Sequence, residues 1–161
     1  MRRLLSIAEV ADLVSHVEQQ PCSTRQVRYL LVTAGLGTDP GRRRNGQTRL
    51  YDLLDVAMVR MAVRLRQEGV SPWVIRVVLT YLRNDLIKAW RTGALVGLAI
   101  SGIQGTLEPA LKGRPARAIA WVPLRDIWHG LDAELRRVSE TRDTLWMWRE
   151  VPVKNIPNPY V

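Results

Sequence analysis

The pair Asn45-Gly46 lies between two short extended segments. This dipeptide is the strongest short-range signal for a β-hairpin, because both residues tolerate the positive φ angles of a two-residue turn. Three consecutive arginines, Arg42 to Arg44, occupy the first arm, and Arg49 lies on the second. The sequence therefore predicts a protruding hairpin, hereafter the wing, with four positive charges. A basic hairpin beside a small helical unit is suited to binding phosphates.

A first helix is predicted near the start of the chain. Ser6 and Glu9 have the spacing of a capping box, in which two side chains satisfy backbone N–H groups at the helix start. Apolar residues between Ile7 and Val14 recur on one face, as an amphipathic helix requires. The polar segment 16–21 ends in proline and is predicted to be a loop.

A second helix is predicted over about 25–34. Ser23-Thr24 is expected to cap its start, and Gly35 is a natural stop. Val27, Leu30 and Leu31 are expected to face inward. Two short helices with a tight connection form a helix-turn-helix, in which the exposed start of the second helix contacts base edges.

Two longer helices are predicted after the wing. Asp52 is expected to cap a helix over about 53–67, which ends at Gly69. Ser71-Pro72 has the residues favoured at the first positions of the next helix, which stops near Gly93. Three arginines of the earlier helix are expected to lie mostly off its apolar stripe: Arg60, Arg64 and Arg66.

The remainder of the chain changes character. Strands are predicted over 95–100, 106–108 and 117–122, and a helix over 125–140. The segment from Val151 contains three prolines and is expected to be extended and irregular. The predicted fold class is α+β, mainly α: an N-terminal winged helix-turn-helix of four helices and a hairpin wing, then a small β-hairpin and helix region.

The positive charge is concentrated in the N-terminal half. The net charge of the chain is +9. Residues 1–91 hold 15 basic and 8 acidic residues, whereas residues 92–161 hold 9 and 7. Within 23–49 there are six arginines and a single acid, Asp39. Such a localised patch indicates a polyanionic partner. We therefore divide the chain into a DNA-binding domain, 1–91, and a dimerisation or partner-binding region, 92–161.

Other function classes lack support in the sequence. The single cysteine, Cys22, cannot form an internal disulfide, which favours a reducing compartment. No apolar run approaches the ~20 residues needed to cross a bilayer, so we expect a cytoplasmic protein without membrane contact. His16 and His129 have no short ligand spacing, and no catalytic or phosphate-loop motif is recognisable. We expect no enzyme activity, metal or cofactor.

Several pieces of residues 5–82 resemble, in order and spacing, the winged helix-turn-helix of the MerR family of transcription regulators. They include Ser6 to Ala11, Val27-Arg28-Tyr29, Ala34-Gly35-Leu36, Arg49-Leu50-Tyr51 and Leu65 to Ser71. The resemblance implies that the second helix enters the major groove and that the wing holds the flanking backbone. It also implies that Tyr51 packs against the helices beside a phosphate. The residues assigned to DNA contact are Thr24, Arg25, Gln26, Arg28, Tyr29, Arg42, Arg43, Arg44, Asn45, Arg49 and Tyr51.

These observations favour a sequence-specific transcription regulator that binds double-stranded DNA as a homodimer. Two alternatives keep the DNA contact. The chain could be an antitoxin that binds a second protein through residues 92–161, or an architectural accessory factor of a recombinase. Trp146 and Trp148 alternate around Met147, which is compatible with an edge strand or an arm laid on a partner.

Overall fold

The computed structural model describes residues 3–37, 50–131 and 149–150. The wing arms at 38–49 and the tail from residue 151 lie outside these ranges, as do Trp146 and Trp148. The described residues are helix-rich with a small antiparallel sheet, which confirms an α+β, mainly α class with an N-terminal helix-turn-helix. The chain forms two compact units: the described residues up to Val59 and from Gly130 onward belong to the first, and Arg60–His129 belong to the second. The predicted domain boundary after residue 91 stays a prediction, because a contact unit is not necessarily an independently folding domain.

The first unit begins with strand β1 (Arg3–Leu4) and helix α1 (Ile7–Glu18). The predicted capping box is confirmed: the Ser6 hydroxyl accepts from the Glu9 N–H at 3.2 Å, and the Glu9 carboxylate accepts from the Ser6 N–H at 2.8 Å. The predicted start of the loop at residue 16 is wrong, since α1 continues to Glu18. Its first residue outside the helix, Gln19, adopts a left-handed conformation with φ of 51°.

The second helix of this unit has two parts. Helix α2 (Thr24–Arg28) is capped by Ser23, and a π-helical turn (Tyr29–Thr33) continues it. The predicted span is therefore close, but its second half is not α-helical. Gly35, with φ of 71°, ends the segment as predicted, because a left-handed residue cannot extend a right-handed helix.

The described part of the first unit resumes at residue 50. Leu5 and Tyr51 form an antiparallel bridge, with N–H···O distances of 2.7 and 2.8 Å. Asp52 and Asp55 then cap helix α3 (Leu53–Gln67) reciprocally, at 2.9 and 3.1 Å. Strand β5 (Arg149–Glu150) pairs antiparallel with β1. Among the described residues, the core of this unit contains eleven apolar side chains at 0% exposure: Leu5, Val10, Leu13, Val14, Val27, Leu31, Leu36, Val56, Ala57, Met58 and Val59.

The second unit is built on helix α4 (Pro72–Thr92). Ser71 caps it and Gly93 ends it, as predicted. The predicted apolar face is also confirmed, since one side of α4 is buried along its length. The buried residues of α4 are Ile75, Val78, Leu79, Leu82, Leu86, Ala89 and Trp90.

A three-stranded antiparallel sheet follows, in the order β3-β2-β4. Its strands are β2 (Val96–Ser101), β3 (Gln104–Pro109) and β4 (Ala120–Pro123). Between β3 and β4 lies a short 3₁₀ helix (Ala110–Lys112). In the central strand, Leu98 lies opposite both Leu107 and Val122. The first two predicted strands are confirmed, whereas the third begins later than residue 117.

Two close contacts hold this sheet. A Cβ atom placed on Gly97 would overlap three atoms of the Trp121 ring, and one placed on Gly105 would overlap a methyl group of Val78. A larger residue at position 97 would collide with the ring of Trp121, and one at position 105 would collide with the side chain of Val78 on α4. Glycine leaves room for both side chains.

Helix α5 (Leu124–Trp128) covers only the first part of the helix predicted over 125–140, which is broken after Trp128. Gly130 has φ of 79° and interrupts it, and residues 132–140 lie outside the described ranges. The prediction that Arg60 lies off the apolar stripe is wrong. Arg60 is 2% exposed, and its Nη1 donates to the carbonyls of Ile127 and, at 3.4 Å, His129. Its guanidinium thus donates hydrogen bonds to backbone carbonyls at the end of α5.

Candidate nucleic-acid interface

The start of α2 is an exposed helix end held by a complete capping box. Ser23 has extended backbone angles, and its hydroxyl accepts from the Gln26 N–H at 3.1 Å. Val27 and the following Leu31 are buried, so they anchor the helix to the core. All of the residues from Ser23 to Tyr29 except Val27 are exposed. The backbone is therefore fixed while the outward side chains stay accessible to a ligand.

Arg25 and Arg28 supply the positive charge of this surface. Both are exposed, and among the described residues neither guanidinium makes a hydrogen bond or an ion pair. Residues 23–37 contain no aspartate or glutamate. Their charge is thus available to an anion, and a planar guanidinium can donate two parallel hydrogen bonds to a phosphate or to a guanine edge.

Gln26 is exposed, but its side chain is already engaged. Its Oε1 accepts from the Ser23 N–H at 2.8 Å and from the Ser23 hydroxyl at 3.4 Å. The sequence reading assigned Gln26 to DNA contact and missed this role. The signal was present, because serine followed three residues later by glutamine is the signature of a capping box.

Tyr29 begins the π-helical turn and is 43% exposed. The Ala34 N–H donates to the Tyr29 carbonyl at 2.7 Å, which closes this wider turn. π-Helical turns occur frequently at functional sites because they shift the phase of the side chains that follow. Tyr29 therefore lies at the edge of the Arg25 and Arg28 surface, while the chain beyond it returns Leu31 to the core.

Tyr51 lies in a different environment. It is 5% exposed, and its backbone pairs with Leu5. Packing is therefore its evident role, as the resemblance implied, and the described residues give no test of its phosphate contact. The other wing residues assigned to DNA contact lie outside the described ranges: Arg42, Arg43, Arg44, Asn45 and Arg49.

Cys22 lies between α1 and α2 and is not part of the exposed surface. It is 8% exposed, and burial raises the pKa of its thiol. The Ser15 hydroxyl accepts from the Cys22 N–H at 2.8 Å, so this side chain closes the turn between the two helices. No group of three histidine, cysteine, aspartate or glutamate residues arranged for a metal ion occurs in the described part of the chain.

Comparison with known proteins agrees with this geometry. Residues 5–82 match the family model described as MerR HTH family regulatory protein. Over these residues the chain is therefore similar to the helix-turn-helix of MerR-family regulators. The match covers just under half of the chain and ends within α4. No curated protein and no solved structure matches the chain.

The matched segment contains α1, α2 with its π-helical turn, α3 and the first half of α4. It supports a DNA-binding transcription regulator. The sheet of the second unit lies beyond the matched residues, since β2 begins at Val96. Of the helices in the described ranges, none has both the length and the apolar character to cross a bilayer.

Proposed function

We propose that this protein is a sequence-specific, dimeric transcription regulator that inserts the start of α2 into the major groove of DNA. The observation that carries the proposal is the pair Arg25 and Arg28, exposed and unpaired among the described residues of a MerR-family helix-turn-helix. Arginine donating twice to guanine is the commonest base-specific contact and is worth ~1–3 kcal/mol of discrimination.

The wing supplies the second part of the proposed interface. Its arginines, Arg42 to Arg44 and Arg49, follow α2 closely in the chain and would contact the flanking phosphates. Phosphate contacts raise affinity for all duplexes and make it salt-dependent, but they carry no sequence information. Specificity is therefore assigned to α2 and general affinity to the wing, with Thr24 and Tyr29 at the margins.

The decisive experiment compares two variants of equal charge. Arg25→Ala/Arg28→Ala removes the proposed reading residues, whereas Arg76→Ala/Arg91→Ala removes two exposed arginines of α4. Fluorescence anisotropy with the genomic sites enriched by the wild-type protein measures both. We expect the first variant to lose preference for these sites over random duplex and the second to retain it. Equal preference in both variants would refute the assignment of α2.

The dimer is proposed because two-fold symmetric proteins match inverted-repeat sites. Its support is that the second unit exposes several large apolar side chains, which are candidate contacts between copies of this chain. Sedimentation of the purified protein tests this, and a monomer at micromolar concentration would overturn it. Seven exposed large apolar residues lie in this unit: Trp73, Val77, Tyr81, Leu95, Ile103, Leu111 and Ile119.

The same apolar surface would also fit a second protein, as in the antitoxin alternative. Purification of the chain with a stoichiometric heterologous partner from its own cells would favour that alternative over a homodimer. No feature of the described residues favours the architectural alternative. We assign the protein to the cytoplasm, where its DNA would be, and we assign it no catalytic activity and no cofactor.

A further inference from the structure

We propose that each half-site is read as two guanines, one by Arg25 and one by Arg28, and that Gln26 positions the reading helix without reading a base. This inference rests on the proposed function and specifies the operator that it requires. Three neighbouring exposed side chains differ in their hydrogen bonding. Arg25 and Arg28 have no partner among the described residues, whereas the Gln26 side chain accepts a hydrogen bond from the Ser23 N–H.

Gln26 cannot read adenine in the observed conformation. Glutamine recognises adenine with its oxygen and its amide nitrogen together. Here the oxygen accepts from the Ser23 N–H at 2.8 Å and from the Ser23 hydroxyl at 3.4 Å. Releasing it would leave the Ser23 N–H without its capping partner, at the residue where the backbone turns into the helix. The side-chain oxygen of Gln26 therefore stabilises the start of the helix that carries the two arginines.

The spacing of the two arginines sets the spacing of the bases. The chain is α-helical from Thr24 to Arg28, so Arg25 and Arg28 are separated by one near-complete turn. They lie about 60° apart around the axis and about 4.5 Å apart along it. A base-pair step is about 3.4 Å. The two guanidiniums therefore reach guanines that are one or two base-pair steps apart.

Selection from a random duplex library by the full-length protein, followed by sequencing of the bound fraction, tests both parts. Wild-type protein should enrich a half-site containing two G·C pairs at that spacing. Arg25→Ala and Arg28→Ala each remove one guanidinium and its hydrogen-bond donors, so each should erase preference at one of the two positions. Gln26→Ala should leave the whole preference profile unchanged.

Affinity measurements separate positioning from reading. Ser23→Ala and Gln26→Ala each remove half of one capping box, so each should weaken binding to all duplexes equally, by no more than about tenfold. The double variant should be little worse than either single variant, since both remove the same cap. If Gln26→Ala loses a preference for an A·T pair that the wild-type protein shows, Gln26 does not act only by positioning the helix. If the wild-type protein enriches no pair of guanines, the assignment of Arg25 and Arg28 to guanine is wrong. No enrichment by wild-type protein at all would instead overturn the proposed function.

Discussion

Replacing Arg60 by alanine should destabilise the protein strongly, although an arginine on a helix is usually solvated. The Arg60 side chain is 2% exposed and donates to the Ile127 and His129 carbonyls. The first bond is buried, and leaving a buried acceptor without a donor costs ~1–3 kcal/mol. The second is partly buried and 3.4 Å long, so it contributes little. Loss of the buried aliphatic stem adds roughly 2 kcal/mol, at about 0.8 kcal/mol per methylene group.

Relief of the desolvation of a buried charge offsets part of this sum. We expect a net loss of about 3 kcal/mol in the free energy of unfolding, equivalent to a fall of about 10 °C in Tm for a chain of this size. Arg60→Met retains the stem and should recover part of the loss. Arg66→Ala, an exposed arginine on the same helix, is the matched control and should change stability by less than ~0.5 kcal/mol.

Urea unfolding followed by tryptophan fluorescence measures these differences, provided that the slope of unfolding free energy against urea is unchanged. Hydrogen exchange gives an independent readout at the end of α5. The His129 N–H, bonded to the Arg125 carbonyl at 2.9 Å, should exchange faster in Arg60→Ala. An Arg60→Ala protein as stable as the Arg66→Ala control would refute the inference that Arg60 holds this end of the helix.

Three other predictions concern the sheet, the wing and the buried thiol. Gly97→Ala should cost about 1–3 kcal/mol in urea unfolding because its Cβ would overlap the Trp121 ring, and most of this loss should disappear in a Trp121→Leu background; an equal loss in both backgrounds contradicts the steric reason. Changing Arg42–Arg44 together to alanine should weaken binding to every duplex. It should also make the negative slope of log affinity against log salt shallower, by about 0.9 for each lost phosphate contact; an unchanged slope excludes the wing contacts. Burial raises the pKa of the Cys22 thiol, so alkylation at pH 8 should be slower in the native protein than in urea, and equal rates would show that the thiol is accessible.

Local rules account for what the sequence predicted correctly. Ser6 with Glu9 and Ser71 with Pro72 mark helix starts through contacts within three residues, and both are confirmed. The apolar face of α4 follows from a period of 3.6 residues, which a sequence displays directly. Part of the candidate site was predictable for the same reason: Arg25 and Arg28 lie at the exposed start of a helix that begins one residue after its serine cap.

Two errors depend on tertiary contacts that the local pattern does not show. Arg60 is bonded to a carbonyl 67 residues later, and no pattern within α3 reveals that contact. Residues 16–18 were predicted as loop because they are polar, yet tertiary packing buries Glu18 at the end of α1. The sequence analysis assigned Gln26 to DNA contact and did not predict its hydrogen bond to the Ser23 N–H, while the DNA contact itself stays a prediction.

By itself, the amino-acid sequence determined where most helices and strands begin, where the positive charge collects and which family segment 5–82 resembles, because these depend on neighbours along the chain. Tertiary structure alone decided which polar groups are committed inside the protein and which remain exposed. Arg60 and Arg25 are the same residue type on two helices, yet one is buried against carbonyls and the other has no partner among the described residues. The physical reason is that burial and hydrogen bonding depend on which distant segments pack together, and that information is not local.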